Sequence, residues 1–183
     1  EEKSLVHKYS VAGEYQVGHW LINDIGCVSD TALKLVNVTA IPVAKFDAVS
    51  EGCQSASINF ADQSMLAGTG SVVKWNWSFG DNKILNNIAA DTVRHIYNSG
   101  GLFSVGLQAV SNSGCSSTVY KQELKINPKP VADFLIPVFC LPLTGQFLNK
   151  SVISDGSENL LKYLWIFGDG NIGNNTKDPY HSY

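Results

Sequence analysis

Two short acidic turns, Trp77-Ser78-Phe79-Gly80-Asp81 and Trp165-Ile166-Phe167-Gly168-Asp169, are the first places where this sequence could do chemistry. A carboxylate at the tip of a turn can ligate a cation, which makes Asp81 and Asp169 the candidate ligands. The alternating acids of a calcium loop are absent around both. The reading that fits better has each carboxylate accept backbone N–H groups and fix its turn, with no metal or other cofactor. Downstream lie His95-Ile96-Tyr97 and His181-Ser182-Tyr183, residue types suited to acid–base work. A catalytic group is seldom copied once per module while a packing residue must be, so these pairs read as structural and no catalytic residue is assigned. Trp20 runs out of phase with Tyr15, Val17 and Leu21 and should point outward. There an indole stacks on a sugar ring or seals an interface between modules, unless a neighbouring strand simply covers it. Cys27, Cys53, Cys115 and Cys140 include no Cys-x-x-Cys pair, which favours disulfides over a metal.

The elements that must position these residues form a repeat. Gly13-Glu14-Tyr15-Gln16-Val17 returns as Gly101-Leu102-Phe103-Ser104-Val105, and Gly26-Cys27 as Gly114-Cys115. Pro42-Val43-Ala44-Lys45-Phe46 returns as Pro130-Val131-Ala132-Asp133-Phe134. These pairs, the Trp-x-Phe-Gly-Asp pair and His7 with His95 all share one offset, 88 residues. Residues 1–40 then read as the back part of a first copy, 41–128 as a complete second copy and 129–183 as the front part of a third. Val38-Thr39-Ala40-Ile41-Pro42 and Asn127-Pro128-Lys129-Pro130 are short, stiff joints. In the complete copy Val73, Trp75, Trp77 and Phe79 alternate with Lys74, Asn76 and Ser78, the period of half-buried strands. Strands are expected near 42–47, 56–61, 71–79, twice between 83 and 97, then 102–111 and 116–126. No segment has a helical period. The expected fold is all-β, with each copy an Ig-like antiparallel β-sandwich of about 90 residues.

Hydrophobic residues make up 44% of the 183 positions and charged residues 16%, which suits a folded chain. A net charge of -3 leaves no basic face for nucleic acid. No apolar run approaches the roughly 18 residues that cross a bilayer, so no membrane insertion is expected. The opening Glu1-Glu2-Lys3 is charged and unlike a signal peptide, and the repeats suggest a segment of something longer.

The order Trp77-Ser78-Phe79-Gly80-Asp81, His95-Ile96-Tyr97, Gly101-Leu102-Phe103-Ser104-Val105 resembles the signature of the PKD (polycystic kidney disease) domain. Gly168-Asp169-Gly170 with Asp178-Pro179-Tyr180-His181-Ser182-Tyr183 in the third copy fits it closely. Asn82 departs from the family's glycine at that turn, and no proline precedes His95. The resemblance implies tandem sandwiches serving as spacer, adhesion or binding modules of secreted or cell-surface proteins. The cysteine after Gly26 and Gly114 is similar to arrays in very large bacterial surface proteins, gliding adhesins and secreted polysaccharide-degrading enzymes among them. Some family members bind calcium, and nothing here marks a site. Asp30-Thr31-Ala32 and Asp91-Thr92-Val93 fit a short bacterial O-glycosylation pattern, which makes Thr31 and Thr92 candidate acceptors.

Two cysteine pairings stay open. A bridge from Cys53 to Cys115 within one copy would close a loop worth about 4 kcal/mol. The rival joins one module's F–G turn to the A–B corner of the module before it. Residues 1–38 and 129–183 are each expected to be completed by neighbouring copies or by a strand-swapped second chain, with Cys27–Cys140 bonded if pairing is within a copy. The expected function is a non-catalytic stalk or adhesin segment, with surface glycans or proteins as further partners. The alternative is an accessory carbohydrate-binding module of a polysaccharide-degrading enzyme. An enzyme would need a polar pocket that the sequence does not advertise.

Overall fold

In the computed structural model, which describes residues 5–136, 138, 140 and 143–183, strands account for nearly all regular structure. β1 (Gly13–His19) and β2 (Ala32–Val38) form a hairpin whose register runs from Gly13↔Val38 to His19↔Ala32. Then come β3 (Phe46–Asp47), β4 (Glu51–Cys53), β5 (Ser57–Asp62), β6 (Val72–Ser78), β7 (Ile84–Ile88), β8 (Thr92–Ile96), β9 (Gly101–Ser111) and β10 (Tyr120–Asn127). They make a five-stranded sheet in the order β4-β10-β9-β6-β7 and a three-stranded sheet in the order β3-β5-β8. Beyond these lie β11 (Phe134–Leu135), β12 (Gly145–Gln146), β13 (Leu148–Asn149), β14 (Leu164–Ile166), β15 (Ile172–Asn174) and β16 (Tyr180–His181). They pair antiparallel as β11 with β13, β12 with β16 and β14 with β15. A 3₁₀ turn at Glu158–Leu160 interrupts the strands.

The first strand of the complete copy departs from expectation. It makes a bridge from Val43 to Met65 and the short β3, then changes sheets, because β4 pairs in parallel with β10. Splitting the strand lets it serve both sheets, which an expectation of purely antiparallel pairing overlooks.

The chain divides into two compact units, one taking in residues up to Ala48, Asn59–His95 and Ser104–Glu123. In it Phe46 and Phe60 of the three-stranded sheet face Trp77 of the five-stranded sheet, with ring centroids 5.2 and 5.9 Å away. Val105, Leu107 and Ala109 of β9 are fully buried, as the period-two alternation requires. Each large apolar side chain so enclosed contributes about 1.5–3 kcal/mol. The other unit takes in Val49–Ile58, Ile96–Phe103 and Leu124–Tyr183. It buries Ile58, Tyr97, Leu124, Ile126 and Phe147.

Burial falls away in the outer segments. Phe46 is 2% exposed, whereas Phe134, 88 residues on, is 45% exposed. Leu148, Leu164 and Ile166 are open beside it, and Val17, Leu33 and Leu35 are open on the hairpin.

Candidate functional site

The turn after β6 carries a closely bonded polar cluster. Lys83 N–H donates to Asp81 Oδ1 at 3.1 Å, and His95 Nε2 of β8 lies 2.7 Å from Asp81 Oδ2. The imidazole is stacked flat on Phe79, with centroids 4.1 Å apart and planes at 9°. One carboxylate thus closes the turn with one oxygen and anchors a neighbouring strand with the other. The turn needs left-handed backbone, which Gly80 supplies at φ 81° and Asn82 at φ 66°. Asparagine tolerates that conformation, so it serves the turn without a glycine. Gly80 answers to a second constraint, since a Cβ there would stand 2.8 Å from Ser104 N and 2.9 Å from Ser104 O.

The same arrangement recurs in the other unit. Asn171 N–H donates to Asp169 Oδ1 at 3.0 Å, His181 Nε2 lies 2.8 Å from Asp169 Oδ2, and His181 stacks on Phe167 at 4.0 Å and 6°. Phe134 and Phe147 stand 5.2 and 6.0 Å from Trp165, matching the distances of Phe46 and Phe60 from Trp77. One difference is polar. Trp165 Nε1 donates to Thr176 O at 2.8 Å, while the buried Trp77 Nε1 finds no acceptor among the described residues. Tyr183 OH donates to Phe167 O at 2.9 Å, and Tyr97 packs on Phe103 at 4.4 Å, as Tyr9 does on Tyr15.

These contacts set the acidity of the carboxylates. Burial works to raise the Asp81 carboxyl, but the hydrogen bonds from His95 and from Lys83 N–H outweigh it and hold the group below its ordinary range. For Asp169 the Asn171 N–H and side-chain amide dominate, with His181 adding to them, and the carboxyl falls from 3.8 to about 2. With both oxygens of each Asp engaged by the turn and the imidazole, the geometry matches an anchor for a turn. Among the described residues no three His, Cys, Asp or Glu side chains gather as a metal site would require.

Trp20 is 56% exposed just beyond the end of β1, but Leu21 and Ile22 beside it are exposed as well, so its openness does not follow from strand alternation. Its counterpart Gln108 accepts from Asn76 Nδ2 at 3.1 Å and donates to Ser117 O at 3.0 Å. Thr31 and Thr92 are exposed, the latter opening β8.

All four cysteines are free thiols, so the Cys53–Cys115 bridge is not formed within the chain. Each thiol of that pair has its own surroundings. Cys53 ends β4 opposite Asn127 of β10. Cys115 is half-buried, with its Sγ 3.2 Å from Thr39 Oγ1 and Ser113 Oγ 3.8 Å away. Neither the Phe–His stack nor the Thr39 contact was anticipated from sequence.

Residues 39–126 match the family model of the PKD domain. Among solved structures, the chain is similar to the PKD1 domain of the Vibrio cholerae metalloprotease PrtV at 26% identity, covering 47% of this chain and 96% of that one, with a TM-score of 0.40. It is also similar to the PKD1 domain of Vibrio anguillarum Epp, at 20% identity over 48% of this chain and 98% of that one, with a TM-score of 0.39. Carbohydrate-binding modules from the β-sandwich superfamily match at 19% identity over 59% of this chain and 44% of theirs, with a TM-score of 0.47.

Proposed function

Taking residues 39–126 as a PKD domain, we propose that the chain is a stretch of tandem PKD-like copies from a bacterial surface or secreted protein, where it acts as a non-catalytic stalk and adhesive spacer. Residues up to 40 are then the back part of one copy and residues 129–183 the front part of another, with neighbouring copies as their partners. The observation that carries this reading is the Asp–His–Phe arrangement, built twice at distances that agree within about 0.1 Å. A group made once per copy and consumed in holding a turn is what a modular scaffold needs. PKD-type domains are typically non-catalytic and occur in extracellular or secreted bacterial proteins. Among the described residues no helix is long and apolar enough to cross a membrane.

Small-angle scattering from chains of two, three and four copies tests the spacer. The maximum dimension should rise by one constant step per copy, and a dimension that stops rising overturns the reading. The exposed Trp20 favours a second reading, an accessory glycan-binding module. Co-sedimentation with insoluble polysaccharide that is lost in Trp20→Ala would select it over the spacer.

A further inference from the structure

The free thiols have a geometry that the repeat makes legible. Cys53 sits in register with Asn127, and Gln54 N–H donates to Asn127 O at 2.8 Å. Thr39 is the residue 88 before Asn127, and Thr39 Oγ1 lies 3.2 Å from Cys115 Sγ. Whatever copy precedes residue 41, its first cysteine is therefore held opposite residue 39, and residue 39 already touches Cys115. The two thiols share one neighbour, and bridgeable Cα atoms lie within roughly 7 Å.

The other cysteines sit in turns of the same local hydrogen bonding. Asn23 N–H donates to Cys27 O at 3.0 Å as Ser111 N–H does to Cys115 O at 2.9 Å, and Gly26 and Gly114 close the two turns alike, at 3.1 and 3.0 Å. Cys53 O and Cys140 O each accept from the residue three positions on, at 3.1 and 2.8 Å. The hydrogen bonds from Thr39 and then Ser113 hold the Cys115 thiol below its ordinary range, which favours the attacking thiolate.

The chain also carries two faces that fit each other. In the complete copy β9 pairs with β6, Trp77 opposite Leu107, and Tyr120 of β10 packs on Phe46 at 5.4 Å. In residues 129–183 Phe134, the counterpart of Phe46, is exposed and Trp165, the counterpart of Trp77, is half-buried, and a hollow of about 410 Å³ lined by Phe134, Leu161, Tyr163 and Trp165 opens there. The hairpin β1–β2 is the counterpart of β9–β10 and exposes on one face Val17 and Val36, the counterparts of the buried Val105 and Leu124. The occupant that matches this hollow strand for strand is the hairpin of a second molecule.

We propose that successive copies are stapled by disulfides joining the second cysteine of one copy to the first cysteine of the copy before it, and that in two associated molecules of this chain the staples are Cys115–Cys140 and Cys27–Cys53. The inference rests on the tandem-copy reading. Each bond forms when one cysteine thiolate displaces glutathione from a mixed disulfide on the other. The old sulfur–sulfur bond breaks, the two cysteines lose two electrons, and their two protons end on two molecules of glutathione.

Equal amounts of ¹⁵N-labelled and unlabelled chain are mixed, oxidised with glutathione disulfide, blocked by alkylation and mapped by mass spectrometry without reduction. Cys115–Cys140 and Cys27–Cys53 peptides should appear, about half of each joining a heavy to a light partner. Cys140→Ser should abolish the first and leave the second. Cys53–Cys115 or Cys27–Cys140 peptides, or four alkylated thiols, overturn the staple. Sedimentation of the reduced chain separates the two ideas. Association with the wrong pairing removes the staple and leaves the tandem copies, whereas a reduced monomer removes the staple together with the docking of hairpin on open face.

Discussion

Asp81 and Asp169 each serve a turn with one oxygen and a histidine with the other, and that arrangement ties folding to acidity. A carboxylate whose acidity is strengthened by folding stabilises the fold above its unfolded pKa and loses that contribution as pH falls through its folded one. For Asp169 the window runs from the ordinary 3.8 down to about 2, and Asp81 shifts in the same direction. The melting temperature should therefore hold from neutral pH to about 4 and fall below it. Asp169→Asn and Asp81→Asn should each flatten part of that fall in a calorimetric pH series. A slope unchanged by either variant would show that the carboxylates do not anchor their turns.

At the level of the element, the two copies of one turn differ in what stands behind them. A Cβ on Gly80 meets the backbone of Ser104 in β9, whereas a Cβ on Gly168 meets none of the described residues within 4 Å. Both glycines are left-handed, at φ 81° and 89°. Gly80→Ala should cost about 2–4 kcal/mol, combining backbone strain with displacement of a strand. In dilute reduced chain, where no second hairpin is docked, Gly168→Ala should cost only the strain, about 1 kcal/mol. Urea denaturation followed by tryptophan fluorescence reads both, and equal costs would place a strand behind Gly168 as well. The strand pattern around these turns was readable from alternation alone, since Trp75, Trp77 and Phe79 on one side and Lys74 and Asn76 on the other leave little choice. The crossing of β4 to β10 was not, because Glu51-Gly52-Cys53 has no alternation to read.

For the whole molecule, position 19 tests how the hairpin is completed. His19 is the counterpart of Leu107, which is fully buried, and it is exposed here at the end of β1. If the hairpin of one chain docks on residues 129–183 of another, position 19 comes opposite Trp165, as Leu107 is opposite Trp77. His19→Leu should then tighten self-association of the reduced chain about tenfold, the worth of roughly 1–2 kcal/mol of apolar burial. Sedimentation velocity across a dilution series measures it, and an unchanged constant would put residue 19 outside the contact.

The sequence alone determined that its motifs recur at one offset and that the segments carrying them are strands, because strand alternation and matching motifs at one spacing are properties of residue order. It also pointed to the Asp and His positions as structural, since they recur with the module. Partnership was decided only by the tertiary structure. Stacking of His95 on Phe79, the meeting of Thr39 with Cys115 and the opening left beside Phe134 depend on which strands become neighbours. Neighbours far apart in sequence are chosen by packing in three dimensions, and no local pattern of residues encodes that choice.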